Sequence, residues 1–119
     1  MALLTAEQIL AASDIKTETV PVPEWGGEVN VRGLTGAQRD AFEESMFVGR
    51  GKDRKENFAN LRARLIVLCA VNEQGQPIFT EKQVDALSKK SAAALDRVFE
   101  AAQRLSGLSK KDTEDLAGN

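Results

Sequence analysis

The run LRARLIVLCAV, residues 61–71, constrains the fold most: nine of its eleven residues are apolar and none is Gly or Pro. Phe58, Leu61, Leu65 and Leu68 step by three, four and three, the period of a helix seam. Ile66, Val67, Cys69 and Ala70 widen that seam until the last turns are apolar nearly all round. A helix of that kind, spanning roughly 56–71, has to be covered on more than one side. It is therefore expected at the centre of the core, with Leu65→Ala and Leu68→Ala each costing roughly 2 to 5 kcal/mol through lost burial and a residual cavity.

The rest of the chain supplies elements to cover it. Thr17, Thr19, Val20 and Val22 alternate, as do Val29 and Val31 against Glu28, Asn30 and Arg32. These runs predict an antiparallel hairpin whose loop is PEWGG. Pro21 and Pro23 donate no hydrogen bond to a ladder, so the first strand belongs at a sheet edge. Thr5 with Gln8, Thr35 with Gln38 and Thr80 with Gln83 each have the spacing of a capping box, and each opens a predicted helix. The second of these carries Ala41, Phe42, Ser45 and Met46 on one face and is expected to run to Gly49. Ser91 caps a further helix with a seam of Leu95, Val98, Ala102 and Leu105, stopped by Gly107. NEQGQPIF, at 72–79, has turn chemistry suited to a connector or a small strand pair. The expected fold is α+β and mostly helical: an N-terminal antiparallel β-hairpin packed on a bundle of about four helices. Residues 1–108 form one domain and 109–119 a flexible charged tail.

Function classes are narrowed by what is missing. Among 119 residues there is no histidine, which removes His-based acid/base and nucleophile pairs, and the single Cys69 removes thiolate metal sites and an internal disulfide. Asp40, Glu43 and Glu44 read as a solvated helix face, and no cofactor is expected. GRGKDRK, at 49–55, lacks the glycine spacing of a phosphate loop. The 80–87 and 91–105 helices lack the base-reading side chains of a DNA-binding pair. The formal net charge is −2, so no global field recruits nucleic acid or an anionic membrane. Charge is nevertheless segregated: residues 1–48 hold three basic and eight acidic groups, and residues 49–64 hold six basic and two acidic. The latter segment is expected to be a solvated loop running into the central helix. No apolar run reaches the ~18 residues of a membrane span, and a reducing cytosol is the expected compartment.

Taken together, VPEWGGEVNVRGLTGAQRDAFE, KENFANLRARLIVLCAVNEQGQPIFTEKQVDAL and SAAALDRVFEAAQRLSGLS resemble the tail assembly chaperones of long-tailed bacteriophages and prophages. The most specific part is PEWGG…VRGLTG…RDAFE. The resemblance implies a non-enzymatic protein of the host cytoplasm that binds the tape measure protein, keeps it soluble, and assists assembly of tail tube subunits around it. It further implies self-association and absence from the mature virion. Many members carry a second domain added by a ribosomal frameshift, and a chain closing on SGLSKKDTEDLAGN suits the short form. The alternative is a structural or adaptor component of the virion, such as a head-tail connector.

Trp25, the only tryptophan, stands at the hairpin tip. Either its indole folds back onto the helical body, with Gly26 and Gly27 permitting the bend, or it remains exposed as a partner anchor. Trp25, Met46, Phe47 and Val48 are the expected partner contacts. The last three are consecutive, so they cannot all face one side of a helix.

Overall fold

The computed structural model describes residues 2–108. Helix α1 (Ala6–Ala11) is followed by strand β1 (Thr17–Val22), a short 3-10 turn (Pro23–Trp25) and strand β2 (Gly27–Arg32). Helix α2 (Gly36–Glu44) leads into a two-residue hairpin, β3 (Phe47–Val48) and β4 (Lys55–Glu56), joined by a 3-10 turn. Helix α3 (Leu61–Cys69) runs directly into β5 (Ala70–Val71), and α4 (Val84–Ser88) and α5 (Ala92–Leu105) are the last elements of the described residues. The fold is α+β and about half helical, with the N-terminal antiparallel strand pair that the sequence predicts.

The alternating residues of β1 and β2 set the register Thr17↔Arg32 through Val22↔Gly27. Val20, Val22 and Val31 are buried, while Thr19 reaches across the strand pair to Asn30 with a 2.7 Å hydrogen bond. The sheet order is β1-β2-β5, so Pro21 lies on an edge strand, where its missing N–H is harmless. Gly26 closes the tip at φ 74°, in the left-handed region that favours glycine.

The capping boxes at Thr5 and Thr35 form with both hydrogen bonds to the glutamine three residues on, whereas at Thr80 the backbone N–H donates to the Gln83 side chain and the Gln83 N–H donates to the Thr80 carbonyl. Gly107 at φ 71° ends α5, and Leu108 N–H closes back on the Gln103 carbonyl. The predicted tail, 109–119, lies outside the described residues.

Helix α5 packs against α3 on one side and against β1 and β2 on the other. Its buried stripe is Leu95, Val98, Phe99 and Ala102, as its period predicts, with Leu105 half-buried. Ion pairs hold the same surfaces in register: Arg104 grips Glu18 bidentately at 2.9 Å, Arg97 pairs with Glu24, and Arg62 of α3 meets Asp96 at 2.7 Å. The Arg104 hydrogen bond holds the Glu18 carboxyl below its ordinary pKa. Pairs this exposed add little stability but fix alignment.

The central helix departs from the predicted span. It begins at Leu61, because Asn60 adopts φ 54° and turns the chain while its side chain bonds Asp85 at 3.1 Å. It ends at Cys69, because Ala70 and Val71 extend to pair with Val31 and Asn30 of β2. NEQGQPIF is a connector built on a turn, with Gly75 N–H donating to the Asn72 carbonyl, and an isolated bridge between Val71 and Pro77 ties it to the end of β5. Leu61 and Leu65 are buried, but Leu68 is 37% exposed. The four-residue seam is therefore rotated from the expected one. The face it gives up is taken by Ala63, Ile66, Val67 and Cys69, all buried. Arg62 and Arg64 stand on different sides of α3 and the rest of it is apolar, so its periodicity does not say which side is left out.

Cys69 lies in that core beside the Ser106 hydroxyl at 3.8 Å, and burial pushes its thiol up to about 11. It is a packed side chain, as a small hydrophobe at this position would be.

Candidate functional site: an apolar hollow at the hairpin tip and a groove beside α4

The segment 79–90 separates two apolar concavities. At the hairpin tip, Trp25 and Phe79 face Gln83, Ala86, Leu87 and Lys90 around a hollow of about 260 Å³. Trp25 is half-buried and packs on the core cluster, so its indole serves as one wall of that hollow. On the other side, Ala41 and Phe42 of α2, Val67 and Leu68 of α3, and Val84 of α4 line a groove of about 360 Å³. Arg64 borders this groove, but its guanidinium is committed to the Ser45 and Asn57 carbonyls and the Ser45 hydroxyl, and burial lowers its pKa. Leu68, displaced from the core, is thus a groove residue.

The four residues singled out in the sequence separate. Helix α2 stops at Glu44 and not at Gly49, because the Ser45 hydroxyl turns back to donate to the Phe42 carbonyl while Arg64 takes the Ser45 carbonyl. Met46 turns inward at 2% exposure and is a core residue, unavailable to a partner in this conformation. Phe47 is half-buried, stacked edge-on against Phe58 and beneath the Arg54 guanidinium at 4.3 Å. Val48 is 50% exposed. The structure does not bring Trp25 together with these residues in a single hollow.

The basic segment is a defined hairpin, not a plain loop. Gly49 at φ 82° lets the chain pass against the Asp53 carbonyl, and Arg50, Lys52, Arg54 and Lys55 are all exposed.

Sequence reasoning missed Phe79, Ala86, Leu87 and Lys90 as neighbours of Trp25, since no local pattern links residue 25 to the 79–90 turn. It also passed over Leu3, Leu4, Ile9 and Leu10, all exposed. The available signal was the shortness of α1, six residues that carry Ile9 and Leu10, with Leu3 and Leu4 ahead of its Thr5 cap.

Among the described residues, no cluster of His, Cys, Asp or Glu could hold a metal ion, and no helix is long and apolar enough to cross a membrane. The molecule is an α+β body with open apolar concavities on its surface. The chain belongs to the phage tail assembly chaperone family, whose model matches residues 6–118. Among solved structures it is similar in fold to the bacteriophage HK97 tail assembly chaperone. The TM-score is 0.59 at 20% identity, covering 87% of this chain and 95% of that one. No curated protein matches. The role that defines the family is a non-catalytic one in tail assembly.

Proposed function

We propose that this chain holds the tape measure protein in soluble form in the host cytoplasm, assists assembly of tail tube subunits around it, and is absent from the finished particle. Membership of the tail assembly chaperone family over residues 6–118 carries this reading. The local chemistry supports it. A holdase needs no reacting group; it needs a rigid body and apolar surface that a partner's helices can cover. The Trp25 hollow, the Leu68 groove and the exposed Val48 beside half-buried Phe47 supply such surface on a body with its own buried core.

Particle composition separates this role from that of an adaptor or head-tail connector. Particles purified from a host expressing the complete morphogenesis gene set should contain the tape measure protein and tail tube subunits without this chain, as read by quantitative mass spectrometry. Retention at a fixed whole number of copies per particle would make it a virion component and overturn the proposal.

A further inference from the structure

The β3–β4 hairpin is fastened at its base to the helical core. Asn57 N–H donates to the Met46 carbonyl at 2.5 Å. The Arg64 guanidinium of α3 bonds the Ser45 carbonyl at 2.7 Å and the Asn57 carbonyl at 2.8 Å, so one core side chain ties down both legs. At the tip, Asp53 N–H donates to the Arg50 carbonyl and Arg54 N–H to the Gly51 carbonyl. The register pairs Phe47 with Glu56 and Val48 with Lys55, and paired residues share a face. One face thus carries Phe47, which is covered by Phe58 and Arg54. The other carries Val48, half-exposed, beside Lys55, with Arg50 and Lys52 at the adjoining tip. Arg54 meets Glu44 at 3.9 Å, whereas among the described residues Arg50, Lys52 and Lys55 have no carboxylate within ion-pair distance.

We propose that this face of the hairpin grips an acidic amphipathic helix of the client, with one apolar side chain seated on Val48 and flanking carboxylates meeting Arg50, Lys52 and Lys55. The inference rests on the client-holding reading and adds to it the chemistry of the segment that is held. A single exposed ion pair is worth little in water. Three cations fixed around an apolar residue on a hairpin already tied to the core offer a partner charge and burial together, without a loop to order first. Charge selects the partner's sign. Residues 49–55 carry four basic groups and one acidic, whereas residues 1–48 carry three basic and eight acidic, so an acidic helix is drawn to the hairpin and repelled by the N-terminal part of the chain. A nucleic acid fits less well. Asp53 stands in the tip, Glu56 in β4 and Glu44 against Arg54, all repelling a phosphate backbone, and the aromatic ring of the hairpin, Phe47, is covered by Arg54 and not open to stack on a base.

The test uses full-length chain co-expressed with the tape measure protein and purified as the complex. Zero-length carbodiimide coupling, read by mass spectrometry, should join Lys52 and Lys55 to Asp and Glu side chains of one helical segment of the client, in preference to Lys16, Lys82 and Lys89. A variant carrying Arg50→Glu, Lys52→Glu and Lys55→Glu should retain the client about tenfold more weakly. Replacing the coupled client carboxylates by Lys should restore retention with that variant. Lys16→Glu, Lys82→Glu and Lys89→Glu together make the same change in net charge on other parts of the chain and should leave retention near wild type. Unchanged denaturation midpoints verify that both variants fold. A wild-type complex whose carboxylates couple elsewhere, with retention unaffected by the hairpin variant, overturns the inference while the client-holding reading stands. Equal losses in the two variants overturn it as well, since net charge alone would then govern retention. Hairpin-dependent binding of RNA or duplex DNA that displaces the client would assign the face to nucleic acid instead. If wild-type chain forms no complex with the tape measure protein, the client-holding reading fails and this inference fails with it.

Discussion

Leu65→Ala should lower stability by about 2 to 5 kcal/mol, whereas Leu68→Ala, one turn further along the same helix, should cost less than about 1.5 kcal/mol. Leu65 is fully buried in the body that α3 forms with α5, β2 and α4, so truncation removes apolar contacts on every side and leaves a cavity whose walls belong to different elements. Leu68 already meets solvent in the groove between α2 and α4, and its truncation widens an open concavity. Chemical denaturation of the two variants measures the contrast. Equal shifts in midpoint would mean that both leucines are core residues and that the groove is closed in solution.

Gly33→Ala should cost about 1 to 3 kcal/mol or more, although no local turn demands glycine there. A Cβ at Gly33 would stand 2.5 Å from the Leu105 carbonyl oxygen and 3.0 Å from its carbon. Both obstacles are backbone, and neither chain can yield easily. Gly33 N–H donates to the Lys16 carbonyl at 3.0 Å, Leu34 N–H donates to the Ser106 hydroxyl at 3.1 Å, and the last turn of α5 is closed by Leu108. The substitution forces the end of β2 away from α5 at the point where the hairpin is fastened to the helical body. Gly36→Ala is the matched control, since nothing lies within 4 Å of its would-be Cβ at the first turn of α2, and it should be neutral or stabilising. Equal thermal midpoints for the two variants would show that the β2–α5 approach is looser than these distances indicate.

What the sequence revealed was local. A capping box needs only a Thr and a Gln three residues apart, and a hairpin needs only alternation and a turn, so α1, α2, the β1–β2 pair and the Thr80 turn could be read along the chain. The stripe of α5 was readable because its opposite face is charged. The failures have a common cause in contacts between distant residues. β5 exists because β2 has a free edge, which makes Ala70 and Val71 strand residues although their neighbours suit a helix. The shortened α2 depends on Arg64, nineteen residues beyond Ser45. The inward turn of Met46 and the outward turn of Leu68 depend on how α2, α3 and α4 cross. The Trp25 hollow was half-legible: an aromatic at a hairpin tip attracts notice, but its partners come from a turn more than fifty residues away.

The central claim, that this chain keeps the tape measure protein soluble, is tested most directly by co-expressing the two and measuring the fraction of tape measure protein in the supernatant after lysis and centrifugation. The account predicts that the client is mostly insoluble alone and becomes mostly soluble with wild-type chain. It also predicts that much of this gain is lost with Trp25→Ala or Phe47→Ser variants that retain their fold. A client that is equally insoluble with and without the wild-type chain would contradict the account.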